Sequence, residues 1–222
     1  MKKFIVSLVS ASVIGLSSYA QSFEGQISYK IEVKGEQAAM FAMMMPSSTD
    51  IFLLGKDALV RMNGGMGPKG DIITKGNEKM TYMVMHSKKT VYKMDSKKEK
   101  TPEKPTVTKE GTETVNGYNC TKYLVKFPKT EKAEIYQYMW CSTDIKIQKP
   151  SPEANAQMFL EEVEGFPVKM DQYITITAMG TTMAINQEMT LDKISETKPD
   201  ASMFEIPKKY KVEDFDENSL MK

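Results

Sequence analysis

Tyr118-Asn119-Cys120-Thr121-Lys122-Tyr123-Leu124-Val125-Lys126-Phe127 and Glu134-Ile135-Tyr136-Gln137-Tyr138-Met139-Trp140-Cys141-Ser142-Thr143 form the stretch on which the fold turns. A polar break, Pro128-Lys129-Thr130-Glu131-Lys132, separates them. Both flanks alternate with period two and are rich in aromatic and branched side chains, so they read as a β-hairpin. Pairing Cys120 with Cys141 places Tyr123 opposite Tyr138, Val125 opposite Tyr136 and Thr121 opposite Trp140. One face then gathers Tyr123, Val125, Phe127, Tyr136, Tyr138 and Trp140. The other carries Cys120, Leu124, Ile135, Met139 and Cys141 among Lys122, Lys126 and Gln137. A slip of one residue would exchange these faces. Cys120 and Cys141 are the only cysteines and lack C-x-x-C spacing, so this register predicts a structural disulfide rather than a redox pair.

Working outward, alternation dominates the chain. Phe23, Ile27, Tyr29, Ile31 and Val33 share one face of a first strand. The runs 51–54 and 58–62 flank Gly55-Lys56-Asp57, and 71–74 and 79–85 flank Gly76-Asn77. Strand patterns recur over 90–94, 168–178 and 183–191, giving nine or ten strands joined mainly by short turns. The lysine-rich stretch 96–105 contains two prolines and reads as an exposed connection. Lysines clustered between Lys88 and Lys109 are diluted by Asp95, Glu99 and Glu103 and read as a solvated edge.

Two segments read as helices. Ser151-Pro152-Glu153 supplies an N-cap, a first-turn proline and an acid suited to the helix dipole; Ala156, Phe159, Leu160 and Val163 follow at helical spacing up to Gly165. The segment 36–45 is rich in alanine and methionine, with Pro46 just beyond its end. The expectation is one α+β domain over residues 21–222, a mainly antiparallel sheet with one or two covering helices.

Residues 1–20 have the three parts of a secretory signal: Lys2 and Lys3, the apolar run Phe4 to Leu16, then small residues Ser18 and Ala20. The run is short of the roughly 20 residues of a spanning helix. Cleavage after Ala20 and a periplasmic or secreted, soluble product are expected, in a compartment where disulfides persist. Removing two lysines with the signal takes the formal charge from +1 to −1. That balance gives no general nucleic-acid binder, which would carry a basic surplus.

An enzyme is hard to build from these residues. His86 is the only histidine, and no G-x-S-x-G, H-E-x-x-H or P-loop is present. Gly64-Gly65-Met66-Gly67 lacks the Lys-Ser/Thr of a phosphate loop. Glu161, Glu162 and Glu164 read as the polar side of a helix. No catalytic residue, metal ligand or cofactor is assigned. Methionine is the anomaly, with 19 in the chain, four of them (Met40, Met43, Met44, Met45) in one segment and three (Met80, Met83, Met85) beside His86. Thioethers suit a packed core, an adaptable apolar cavity or Cu(I). Strand alternation puts His86 on the face opposite Met83 and Met85, which weakens the copper reading.

The segment Val115-Asn116-Gly117-Tyr118-Asn119-Cys120-Thr121-Lys122-Tyr123 resembles the "nGy-C-kY" strand of a family of exported bacterial domains of unknown function numbered 4412. Trp140, Thr143-Asp144-Ile145 and Gly165-Phe166-Pro167-Val168 follow in that family's order. The ending Asp200-Ala201-Ser202-Met203-Phe204-Glu205-Ile206-Pro207-Lys208-Lys209-Tyr210 is similar to its "d-s-F-i-P-gY" close, with a lysine where glycine often stands. Such domains look like the LolA/LolB group, whose curved sheet forms a half-barrel covered by helices and carries lipid-linked cargo. The resemblance implies an apolar or lipid-like ligand, held by a lid with Met40, Phe41, Met43 and Met44 and a concave wall with Tyr123, Tyr136, Tyr138 and Trp140. A soft-metal binder and an envelope interaction domain with a protein partner and no small ligand are the alternatives.

Overall fold

The structure, a computed structural model, describes residues 23–35, 38, 42–43, 45–66, 70–95, 104–130, 133–147, 160, 162–178 and 181–215. Twelve strands form one sheet: β1 (Gly25–Lys34), β2 (Ser48–Leu54), β3 (Asp57–Asn63), β4 (Gly70–Lys75), β5 (Met80–Met85), β6 (Thr90–Asp95), β7 (Thr106–Val115), β8 (Tyr118–Lys126), β9 (Ala133–Ser142), β10 (Phe166–Ala178), β11 (Thr181–Ser195) and β12 (Lys211–Asp214). Their order is β12-β6-β5-β4-β3-β2-β1-β11-β10-β9-β8-β7, antiparallel throughout except for β12 beside β6. Two meanders therefore meet where β11 pairs with β1.

The sheet is curved, and chain length requires it. β6 and β7 are ten strand spacings apart, about 48 Å in a flat sheet at ~4.8 Å each. The eleven Cα steps from Asp95 to Thr106 reach at most about 40 Å. Tyr29 on β1 donates to the carbonyl of Pro167 on β10 at 2.9 Å, across β11 and on the inner face. That face holds the main core, including Ile27, Tyr29, Ile51, Val60, Val125, Met139, Phe166 and Met170, packed with Leu160 and Val163.

The expected strands all form, but the deciding hairpin pairs one residue away from its expected register. Cys120 stands opposite Ser142, Thr121 opposite Cys141, Tyr123 opposite Met139 and Leu124 opposite Tyr138. Directly opposed residues share a face, so Cys120 and Cys141 point to opposite sides of the sheet. Both are buried as thiols, and the expected disulfide does not form. β9 gave no unique register because both of its faces bury apolar groups, Met139 and Cys141 on one and Trp140 on the other.

β7 and β12 lie outside the strands read from sequence. β7 is an exposed, Thr- and Glu-rich edge with a bulge between Lys109 and Gly111. It enters β8 through Asn116 (φ 50°) and Gly117 (φ 80°), the Asn-Gly pair that tight hairpins favour. Among the described residues the one complete helical element is the 3-10 turn Ala201–Phe204, capped by Asp200 accepting from the Ser202 amide at 2.8 Å. The one or two covering helices expected from sequence are not found among the described residues. Most of 151–164 lies outside them; its described residues, 160 and 162–164, are turn or irregular, the chain there folding Leu160 and Val163 into the core instead of extending a helix. In 36–45, Ala38, Ala42 and Met43 are described and helical but Met45 is a bend before Pro46, and no complete helix is described there. The signal segment 1–20 also lies outside them. No described helix is long and apolar enough to cross a membrane.

Candidate functional site

Strands β9, β10 and β11 carry a layered inner face. Met139, Met170 and Met189 are direct neighbours across the three strands, flanked by Tyr123 and Ile31. One step along, Gln137, Gln172 and Gln187 form a second rung. Gln137 and Gln187 are buried; the Gln172 amide donates to Gln137 at 3.4 Å, and Gln137 donates to the Met139 sulfur at 3.2 Å. A third rung, Ile135, Ile174 and Ile185, follows, and then Ile176 opposite Met183. The Met139 and Met170 side chains are packed away, whereas all five side chains beyond the glutamines are only half-buried. Apolar surface thus continues past a largely buried polar rung onto an open shelf.

The outer face of the same strands is aromatic and charged. Tyr136 and Tyr173 stack at 4.8 Å with planes 7° apart, and Tyr138 meets each edge-on at 6.2 Å. Lys122 Nζ lies 4.4 Å from the Tyr138 ring centre and Lys169 Nζ 4.8 Å from that of Trp140. Trp140 donates through Nε1 to Glu113 and packs with Cys120 and Val168. At 7 % exposure it anchors this face rather than forming an open wall. A groove of about 430 Å³ is lined by Lys34, Tyr136, Tyr173, Thr175, Thr182 and Asn186, among others. A second, of about 470 Å³, lies on the other side of Tyr136 against Leu124 and Tyr138.

Charges interleave with these rings. Glu188 accepts from Lys34 at 2.6 Å and Lys169 at 2.7 Å. Burial opposes its ionisation, but the two ammonium groups outweigh burial and bring its carboxyl down to about 2. Its cross-strand neighbour Asp171 is pushed the other way, first by burial and then by Glu188, against the pull of Lys169. The Oδ1 atoms of Asp171 and Asn186 are buried without a hydrogen-bond partner.

On the outer face of β2–β6 the arrangement is closed. Phe204, from the 3-10 turn, sits at 1 % exposure among Leu59, Ile73, Val84 and Val91. Nearby, Arg61 donates to both oxygens of Asp71 at 2.9 and 2.8 Å. His86 contacts Asp71 and the Tyr210 hydroxyl, each at 3.3 Å. The sole histidine thus joins the C-terminal segment to β4, while Met83 faces inward opposite Ile72 and Tyr92.

The register shift divides the expected ligand wall. Tyr123 is 4 % exposed in the inner core, whereas Tyr136, Tyr138 and Trp140 lie on the outer face and do not line the concave side. Met40, Phe41 and Met44 lie outside the described residues. Met43 is 63 % exposed, and its carbonyl accepts from the Met66 amide at 2.8 Å. The isoleucine shelf, the glutamine rung, Tyr173, Asp171 and Asn186 were not singled out from sequence. The alternation Lys169-Asp171-Tyr173 against Met170-Gln172-Ile174 carried the signal for both faces.

Solved structures similar over most of their length include an uncharacterized conserved protein from Thermus thermophilus, at 8 % identity and a TM-score of 0.47, covering 86 % of this chain and 91 % of that one. The Mycobacterium tuberculosis lipoprotein LppX follows at 10 % identity and 0.35, covering 77 % and 86 %. A LolA superfamily protein from Nitrosomonas europaea is similar at 7 % identity and 0.34, covering 85 % and 92 %. No curated protein sequence matches. The family model described as "Domain of unknown function (DUF4412)" matches residues 23–210, from the residues before β1 to the tyrosine that His86 contacts, and the chain belongs to that family.

Proposed function

We propose that this domain is an exported, non-catalytic binding module for an apolar or lipid-like ligand, held against the inner face of β9–β11. The observation that carries the reading is the half-open shelf of Ile135, Ile174 and Ile185, continuous with the core beyond a buried glutamine rung. A packed interior leaves few apolar side chains open in a row, and contiguous exposed apolar surface marks contact sites. The glutamine rung gives the shelf a polar border, which suits a chain ending in a polar group. The methionines of 36–45, the segment that follows β1 in sequence, are the adaptable apolar side chains this reading assigns to a cover over the ligand.

The test is uptake of a fluorescent hexadecanoyl probe by the delipidated protein, with native mass spectrometry of protein purified from its own envelope. A co-purifying lipid-sized mass and a loss of probe affinity of about tenfold or more in Ile174→Glu are expected. No bound mass and no probe uptake would overturn the reading in favour of an interaction domain without a small ligand.

A further inference from the structure

We propose that the outer face of β9–β11 is a second binding site, which takes a sugar ring in the groove beside Tyr136 and Tyr173. Three observations converge there. The groove, at about 430 Å³, lies within the roughly 300–1,000 Å³ range of small-ligand sites. Its walls include the stacked Tyr136–Tyr173 pair, whose outward surfaces offer aromatic area to the C–H face of a ring. Beside it stand two acceptors without donors, Asn186 Oδ1 and Asp171 Oδ1. Asn186 is the direct neighbour of Tyr173, and Asp171 lies two residues before Tyr173 on the same face.

A buried polar atom without a partner costs roughly 1–3 kcal/mol, and a donor that reaches it recovers that cost. Each lone acceptor has a long side chain beside it. Lys34 stands opposite Asn186 in the β1–β11 register, and Lys169 is two residues from Asp171. Displacement of these arms from Glu188 would open a path by which ligand hydroxyl groups reach the acceptors. The ligand must therefore combine an apolar face with several O–H donors.

That requirement separates a sugar from the other candidates. An acyl chain stacks on rings but brings no donors along its length. A nucleic-acid strand brings phosphates, yet the two positive charges of Lys34 and Lys169 are already balanced by Glu188 and Asp171, with which they pair. The rings and lone acceptors alternate with the shelf isoleucines along the strands and so lie on the opposite face. Although Ile174 and Ile185 also line the groove, the inference rests on the rings and acceptors and not on the apolar-ligand reading.

The test is nuclear magnetic resonance titration of residues 21–222 with two neutral probes, maltohexaose and hexa-N-acetylchitohexaose. Binding of at least one at millimolar or tighter affinity is expected, with ring shifts at Tyr136 and Tyr173. Asn186→Ala and Tyr173→Ala should each weaken it by about tenfold, and Tyr173→Phe should retain it. If Tyr173→Ala loosens the hairpin, Asn186→Ala and Tyr173→Phe still decide the matter. Failure of both probes to shift any ring, or unchanged binding in Asn186→Ala, would overturn the proposal.

Discussion

The outer face of the sheet is finished in two ways. Over β2–β6 it is apolar and sealed, with Phe204 capping Leu59, Ile73, Val84 and Val91. Over β8–β11 the same side carries Tyr136, Tyr138 and Tyr173 among lysines and carboxylates, and two grooves remain open. An aliphatic face loses about 25 cal/mol for each Å² left in water and so calls for a cover. Tyrosine presents an amphipathic ring that tolerates partial exposure and can exchange water for a ligand. A covered face and an offered face thus occur on one sheet, distinguished by side-chain chemistry rather than backbone.

The comparison breaks most readily at the covered end. Phe204→Ala should destabilise the protein by about 3–5 kcal/mol in urea titrations, whereas Tyr136→Ala should cost only about 1 kcal/mol. Similar costs for the two would mean that the sealed and open halves are not distinct.

A second contrast lies within the open half, where two adjacent carboxylates respond oppositely to pH. Glu188 has a folded value of about 2, below its unfolded value. Its stabilisation is therefore complete above the unfolded value of roughly 4.3 and disappears as pH falls to about 2. Asp171 is raised, so its ionisation costs stability as pH climbs from its unfolded value through its folded one. Denaturant midpoints should fall by the equivalent of about 1–2 kcal/mol in Glu188→Gln at neutral pH. They should rise by less than about 1 kcal/mol in Asp171→Asn. A loss of stability in Asp171→Asn would show that the Lys169 contact outweighs burial.

The smallest expected effect is none. With Cys120 and Cys141 on opposite faces, a reductant should leave the urea midpoint unchanged, and denatured protein should show two titratable thiols. A polypeptide mass lower by two hydrogens would restore the Cys120–Cys141 register.

These contrasts bear on what the sequence disclosed. Ten strands and their turns followed from alternation, because most elements bury one face and wet the other. The hairpin register did not, since Met139 and Trp140, neighbours in β9, are both buried and either side could be read as the core. β7 escaped because its side chains are polar on both faces; Asn116-Gly117 was its clearest mark. The inner shelf was hidden for a different reason. Ile135, Ile174 and Ile185 come from three strands and form a row only once the register is fixed.

The connection between Asp95 and Thr106 acts as a drawstring. Its contour length links β7, at one border of the sheet, to β6, the strand next to the other border, so the girth between them has an upper limit that no repacking of side chains can raise. Room for the proposed apolar ligand would therefore come from displaced side chains before it came from spreading strands. That limit is written in the number of residues between β6 and β7. Inserting residues between 96 and 105 is the change that would widen it.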